Sequence, residues 1–358
     1  MNLPHFKQYI KQDILAQTRL RKFETKLGER VATVPASTEL SEAIKGNDLT
    51  YVLFGIAEDI GVKANYGVGG TNTAWPGFLQ SFLNVQSSDF FTGENVIVIG
   101  YFDFSDLETV IESNANNQEE KIEAYRHAVN TIDDEVERLV KLIVSEGKIP
   151  IIIGGGHNNA YPLIKGAAKG LHQSGKLPLP QINCINLDAH TDYRPVEGRH
   201  SGNGFRYAEE DGFLQKYCVI GVHENYLPQN VWMDVVNNPF MDMITYEDIF
   251  IHEKRTFRQA VSHAIQFTDD NYAGIELDLD SIENTLCSAP TPCGMQSIHA
   301  RQYLNLCAAH VNTAYLHICE GASKTTKGET NELTGKLISY LISDFIKMHE
   351  VHPVASGQ

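Results

Sequence analysis

The stretch Gln181–Asp192, QINCINLDAHTD, joins a strand to a set of metal-ligand side chains. Gln181–Leu187 is β-rich and runs directly into Asp188-Ala189-His190-Thr191-Asp192. In an extended chain alternate residues share a face, so Asp188, His190 and Asp192 can converge. Two other stretches repeat the arrangement. Gly154-Gly155-Gly156-His157 follows the apolar run Ile149–Ile153, and Asp278-Leu279-Asp280 closes the run Tyr272–Leu279, in which Glu276 shares a face with Asp278 and Asp280. Two histidines and four aspartates at the ends of apolar runs point to a binuclear metal site.

Working outward, the same alternation of apolar runs and helical patterns covers the chain from about residue 50. Strands are predicted at Tyr51–Ile56, Asn95–Tyr101, Ile149–Ile153, Gln181–Leu187, Tyr217–Val222, Met241–Thr245, Tyr272–Leu279 and Ala314–Cys319. Helices are predicted at Pro76–Asn84, Gln118–Ser145, Ala160–Lys169, Gln229–Val236, Thr256–Gln266, Ile298–Asn312 and Glu329–Met348. Strands separated by helices imply βαβ units and a parallel sheet. Runs such as VIVIG and PIIIGG are apolar on both faces, as strands covered on each side by helices must be. The expected fold class is therefore α/β, with residues 1–358 as one domain and the first 45 or so as a helical extension. Gly61–Thr73 and Asp192–Gly212 read as long functional loops. Ligands bind beyond the carboxyl ends of strands in such sheets, where His157, the two aspartate motifs and Glu320 all fall.

A net charge of −16 argues against nucleic acid and anionic membranes as partners. No apolar run reaches the ~18 residues of a membrane span, and MNLPHFKQYIKQD lacks the apolar centre of a signal peptide. The six cysteines are scattered without a CxxC, which fits reduced thiols in a cytoplasmic protein.

The chemistry follows from the donors. A lone Asp-x-Asp is ordinarily a solvated turn, and GGGH alone could be a tight strand-to-helix turn. The glycines are followed by Asn158-Asn159, with no Lys-Ser/Thr, so they form no P-loop. Four aspartates gathered at strand ends without cations would cost too much to bury. Oxygen and nitrogen donors without thiolate favour Mn²⁺, with zinc or Fe²⁺ as alternatives. Two divalent ions about 3.5–4 Å apart lower the pKa of a shared water toward neutrality.

In this order and at these separations, GGGH, DAHTD and the DLD of ELDLDSIE resemble the ureohydrolase superfamily of arginases, agmatinases and formimidoylglutamases. The resemblance implies a three-layer α/β/α fold around a parallel, eight-stranded sheet and two Mn²⁺ per chain. It places one ion on His157, Asp188, Asp192 and Asp278, and the other on Asp188, His190, Asp278 and Asp280. Asp192 would also accept a hydrogen bond from a bridging hydroxide that attacks the amidine carbon, and Glu320 would hold the amidinium or guanidinium group. Relatives are commonly trimers or hexamers, so a homo-oligomer is expected by analogy.

The loop after DAHTD separates the members. Arginases carry a proton-shuttle histidine after Ser-Gly-Asn, whereas here Ser201-Gly202-Asn203-Gly204 is followed by Phe205-Arg206, as in formimidoylglutamases. Arg194, Arg199 and Arg206 crowd this loop, and a substrate with two carboxylates and one amidinium needs such cations opposite an acid such as Glu320. The expected catalytic residues are therefore Asp192 and Glu320, and the substrate-binding residues Arg194, Arg199, Asn203, Arg206 and Glu320. His200 and His223 are candidates for protonating the leaving amine. The expected reaction is hydrolysis of N-formimidoyl-L-glutamate to glutamate and formamide. The alternatives are urea release from arginine or a guanidino acid, and a metal-binding relative without catalysis. The chain departs from the family's usual pattern at Glu276, at Ile282-Glu283-Asn284 and at Trp75-Pro76.

Overall fold

The computed structural model describes residues 2–352. The strands are β1 (Phe6–Gln8), β2 (Ala32–Thr33), β3 (Tyr51–Ala57), β4 (Val96–Asp103), β5 (Ile149–Ile153), β6 (Ile182–Leu187), β7 (Leu214–Val222), β8 (Met241–Thr245), β9 (Ala273–Asp278) and β10 (Thr313–Cys319). They form one sheet in the order β1-β4-β3-β5-β10-β9-β6-β7-β8, with β2 also on β4. Neighbours from β3 to β10 pair in parallel.

Alternation along each strand explains the two covering layers. Leu53, Ile151, Ile185, Ile275 and Leu316 point to one face, where they pack with the helices Ala74–Phe82, Phe257–Phe267, Ser297–His310 and Leu333–Val351. Val52, Phe54, Ile152, Cys184 and Tyr315 point to the other, against Gln118–Ser145, Ala160–Gln173 and Gln229–Asn237. The result is the expected three-layer α/β/α arrangement.

Three sequence expectations change. Residues 2–45 reach the sheet edge: short helices accompany β1, antiparallel to β4, and β2, parallel to it. These strands are too short to show a period-2 pattern, and only β4's open edge defines them. Gly61–Thr73 overlaps the helix Ile60–Ala64 and holds a 3-10 turn at Thr71–Thr73. Within Asp192–Gly212 lie a 3-10 turn at Ser201–Asn203 and the helix Gly204–Glu210. Among the described residues no helix is long and apolar enough to cross a membrane.

The strand order positions the site. β5 and β6 are consecutive in the chain but separated in the sheet by β10 and β9, which arrive later. The carboxyl ends of these four central strands therefore come together. Because Ile275 is fully buried in the middle of this group, Ile275→Ala should cost about 2–5 kcal/mol, read as a lower urea midpoint with an unchanged slope.

Candidate metal centre

The turn after β5 depends on its glycines. Gly154 and Gly155 have φ of 92° and 76°, a region L side chains rarely occupy. The turn is held from the β3 end by Glu58, which accepts hydrogen bonds from the Gly156 amide (2.8 Å), Asn159 Nδ2 (2.8 Å) and the Gly61 amide (3.1 Å). Sequence reading did not single out Glu58, although a carboxylate directly beyond a strand end was a signal available to it.

His157 is fully buried, and its Nδ1 faces Asp192 Oδ2 at 2.8 Å, Asp278 Oδ2 at 3.1 Å and Asp188 Oδ2 at 3.2 Å. His190 Nδ1 lies 3.1 Å from Asp280 Oδ2 and 3.6 Å from Asp188 Oδ1. The six residues thus form two clusters, His157–Asp188–Asp192–Asp278 and Asp188–His190–Asp280, joined through Asp188. Local hydrogen bonds aim the carboxylates. Asp188 Oδ1 accepts from the His190 amide (2.7 Å) and its Oδ2 from Asn186 Nδ2 (2.9 Å), while Asp278 Oδ1 accepts from the Asp280 amide (2.8 Å).

These residues fit a pair of divalent cations. His157 Nδ1 and Asp280 Oδ1 are buried with no hydrogen-bond partner, an arrangement that native proteins avoid unless the groups serve something else. The carboxylates also repel one another. Burial pushes Asp192 up to about 6, with the Asp188 charge adding to it. Burial and the charges of Asp280 and Asp188 raise Asp278 well above the carboxylate range. For Asp188 burial opposes ionisation, but His157 and His190 hold its pKa low. Dications relieve such crowding, and the all O/N donor set suits Mn²⁺-like ions.

Glu320, directly after β10, lies beside this cluster and is almost fully buried. Its Oε1 accepts from the His157 amide at 2.7 Å, and its Oε2 accepts from the Ser288 hydroxyl. Burial raises it to about 8, with Asp280 and Asp192 contributing against those two hydrogen bonds. Asp192 and Glu320 both hold positive φ, 45° and 59°. Such conformations cost about 1–3 kcal/mol each and persist where the surroundings over-determine them. Ser288 was missed because nothing in Cys287-Ser288-Ala289-Pro290 distinguishes it from an ordinary loop serine.

The substrate-binding candidates separate. Arg199 is buried, bonded to Asp133 Oδ2 (2.8 Å) and Oδ1 (3.1 Å), to the Asn158 carbonyl (2.7 Å) and to Asn203 Oδ1 (3.0 Å), and it stacks on Tyr161 and Tyr207. Asn203 is fully buried and also donates to the Gly198 carbonyl (2.8 Å). Arg206 pairs with Glu210 and Asp234, at 2.7 and 2.9 Å, over the Tyr193 ring. All three have protein partners, through Nε and Nη1 in the case of Arg206. Only Arg194 is half-exposed, with Glu197 at 3.1 Å. The loop's arginines are mostly its scaffold, and burial could not be read from local composition.

Phe205 is fully buried, edge-on to His157 with centroids 5.0 Å apart, and stacked on Tyr217 at 4.3 Å. It walls a ligand instead of lining the mouth. His200 is buried, accepts from the Gly202 amide at 3.1 Å, and is lowered to about 4 by burial and Arg194. His223 is largely buried and stacks on Tyr246, with centroids 4.5 Å apart.

The fold and the clustered side chains define the class of protein. The arginase family model matches residues 52–343, and the chain belongs to that family, as a hydrolase of C–N bonds in linear amidines. Among characterised relatives it resembles formimidoylglutamases. That of Psychrobacter cryohalolentis is 28% identical over 73% of this chain and 77% of the relative. That of Streptococcus pyogenes is 27% identical over 49% of this chain and 53% of the relative. The fold is shared with the formimidoylglutamase of Bacillus subtilis, with a TM-score of 0.69 at 16% identity, covering 94% of this chain and 95% of the other. It is shared equally with the formiminoglutamase of Trypanosoma cruzi with Mn²⁺, with a TM-score of 0.68 at 19% identity, covering 92% and 100%.

Breaking the buried Arg199–Asp133 pair with Arg199→Ala should cost about 3–5 kcal/mol of stability. Arg194→Ala should leave the melting temperature within error, which differential scanning calorimetry will resolve.

Proposed function

We propose that this chain hydrolyses N-formimidoyl-L-glutamate to L-glutamate and formamide with two divalent cations, Mn²⁺ by preference. The reading rests on one observation above the others: two ligand clusters meet at Asp188, with the Glu320 carboxylate beside them. The formimidoylglutamase relatives support the choice of substrate.

His157, Asp188, Asp192 and Asp278 would hold one cation, and Asp188, His190, Asp278 and Asp280 the other. When bound, the two cations lower the pKa of water between them and stabilise negative charge at the reacting carbon. The residues supply the remaining steps. Glu320, fixed by Ser288 and the His157 amide, orients the amidinium by charge-assisted hydrogen bonds. Water oxygen bonds to the amidine carbon while Asp192, the least buried of the four aspartates, accepts its proton. The carbon–nitrogen bond to glutamate then breaks, and the proton passes to the departing amine. Arg194 is the one loop arginine with exposure enough to meet a substrate carboxylate.

Glu320→Gln removes the charge that orients the amidinium, and kcat/KM should fall about 100-fold or more. Arg194→Ala should raise KM about tenfold and leave kcat nearly unchanged. Formamide, urea and ammonia released from a substrate panel with Mn²⁺ check the reading directly. Formamide from formimidoylglutamate is expected. Urea from a guanidino acid would replace this substrate with the guanidino alternative, and no turnover by metallated protein would remove both.

A further inference from the structure

Beneath the metal ligands lies a second polar row. Across β6, β9 and β10 the parallel register places Asn186 opposite Glu276 and Glu276 opposite His317. Asn186 and Glu276 each precede a ligand, Asp188 and Asp278, by two residues and so share its face. Glu276 and His317 are both fully buried, and the steps proposed above use neither.

Their contacts converge on His157. Glu276 Oε1 accepts from the Tyr315 hydroxyl at 2.6 Å, and Oε2 lies 2.6 Å from His317 Nδ1. The same Oε2 lies 3.5 Å from His157 Nε2, a buried nitrogen with no hydrogen-bond partner, and is the anion that faces it. His317 Nε2 in turn faces the carbonyl of Gly154, at 3.3 Å, in the turn that carries His157. The carboxylate thus reaches the ligand histidine twice, through its ring and through the base of its loop.

Resting on the binuclear reading of the site, we infer that Glu276, held by His317 and Tyr315, is a positioning residue that keeps the proton of His157 on Nε2 and so leaves Nδ1 as the metal donor. A neutral imidazole has one protonated nitrogen, and the partner of the far nitrogen decides which. Here the far nitrogen faces an anion, while Nδ1 faces three aspartates that a cation would share. A carboxylate behind a ligating histidine also makes it a stronger donor.

The same side chains, with Cys319, could be read as a third metal site. The hydrogen bonds speak against it. Both Glu276 oxygens already receive short bonds, from Tyr315 and from His317, and an ion would have to displace both donors.

The test is Mn²⁺ titration by calorimetry of metal-free wild type, Glu276→Gln and His317→Gln, with melting temperatures of each in chelator and in Mn²⁺. Wild type should bind about two ions; if it binds none, the binuclear reading fails and not this inference alone. Glu276→Gln should weaken one of the two ions about tenfold or more and leave the other within a few-fold, with a smaller Mn²⁺-induced rise in melting temperature. His317→Gln should weaken the same ion by less. Should Glu276→Gln not fold, His317→Gln carries the test. Equal affinities in wild type and every folded variant would overturn the inference, as would a third bound ion lost with Glu276.

Discussion

The mutual repulsion of carboxylates at the centre of the sheet is the constraint on which the rest depends. Asp188, Asp278, Asp280 and Glu320 are buried, and Asp192 is only partly exposed beside them. In a low-dielectric site, like charges this close cannot all ionise unless cations balance them. The fold holds them together through main-chain amides, from His190 to Asp188, from Asp280 to Asp278 and from His157 to Glu320. The protein thereby holds together an arrangement of like charges that is unfavourable without counter-charge.

Topology makes this possible. β5 and β6 leave a gap that β10 and β9 later fill, so His157, Asp188, Asp278 and Glu320, distant in sequence, come to the carboxyl ends of four adjacent strands. Packing on both faces holds these strands in place. The scaffold around the ligands is polar where it must be: Glu58 holds the glycine turn, and Asn186 holds Asp188. Phe205 and Tyr217 close the remaining side with aromatic surface. Asp188 and Asp278 are thus each aimed by hydrogen bonds from groups around them.

Much of this was legible in the sequence, and for a clear reason. Apolar runs of period two, punctuated by Gly and Asp, define strands locally, and GGGH, DAHTD and DLD carry their ligands at strand ends by construction. The helix Gln118–Ser145 has the bounds its pattern implies because it is long, amphipathic and capped by Asn117. The loop after DAHTD was a different matter. Its arginines had to be judged by composition, and composition cannot show that Asp133, from a helix that ends long before, takes Arg199.

By itself the sequence determined the six candidate ligands, their order and the class of sheet, since each is read from residues within a few positions of one another. Only the tertiary structure decided which of the polar and charged groups take protein partners. Arg199, Arg206 and Asn203 turned inward to protein partners, Ser288 came to Glu320, and Glu276 and His317 met beneath His157. Each of these pairings joins residues whose proximity or burial depends on how strands and loops pack. Local pattern carries no information about that.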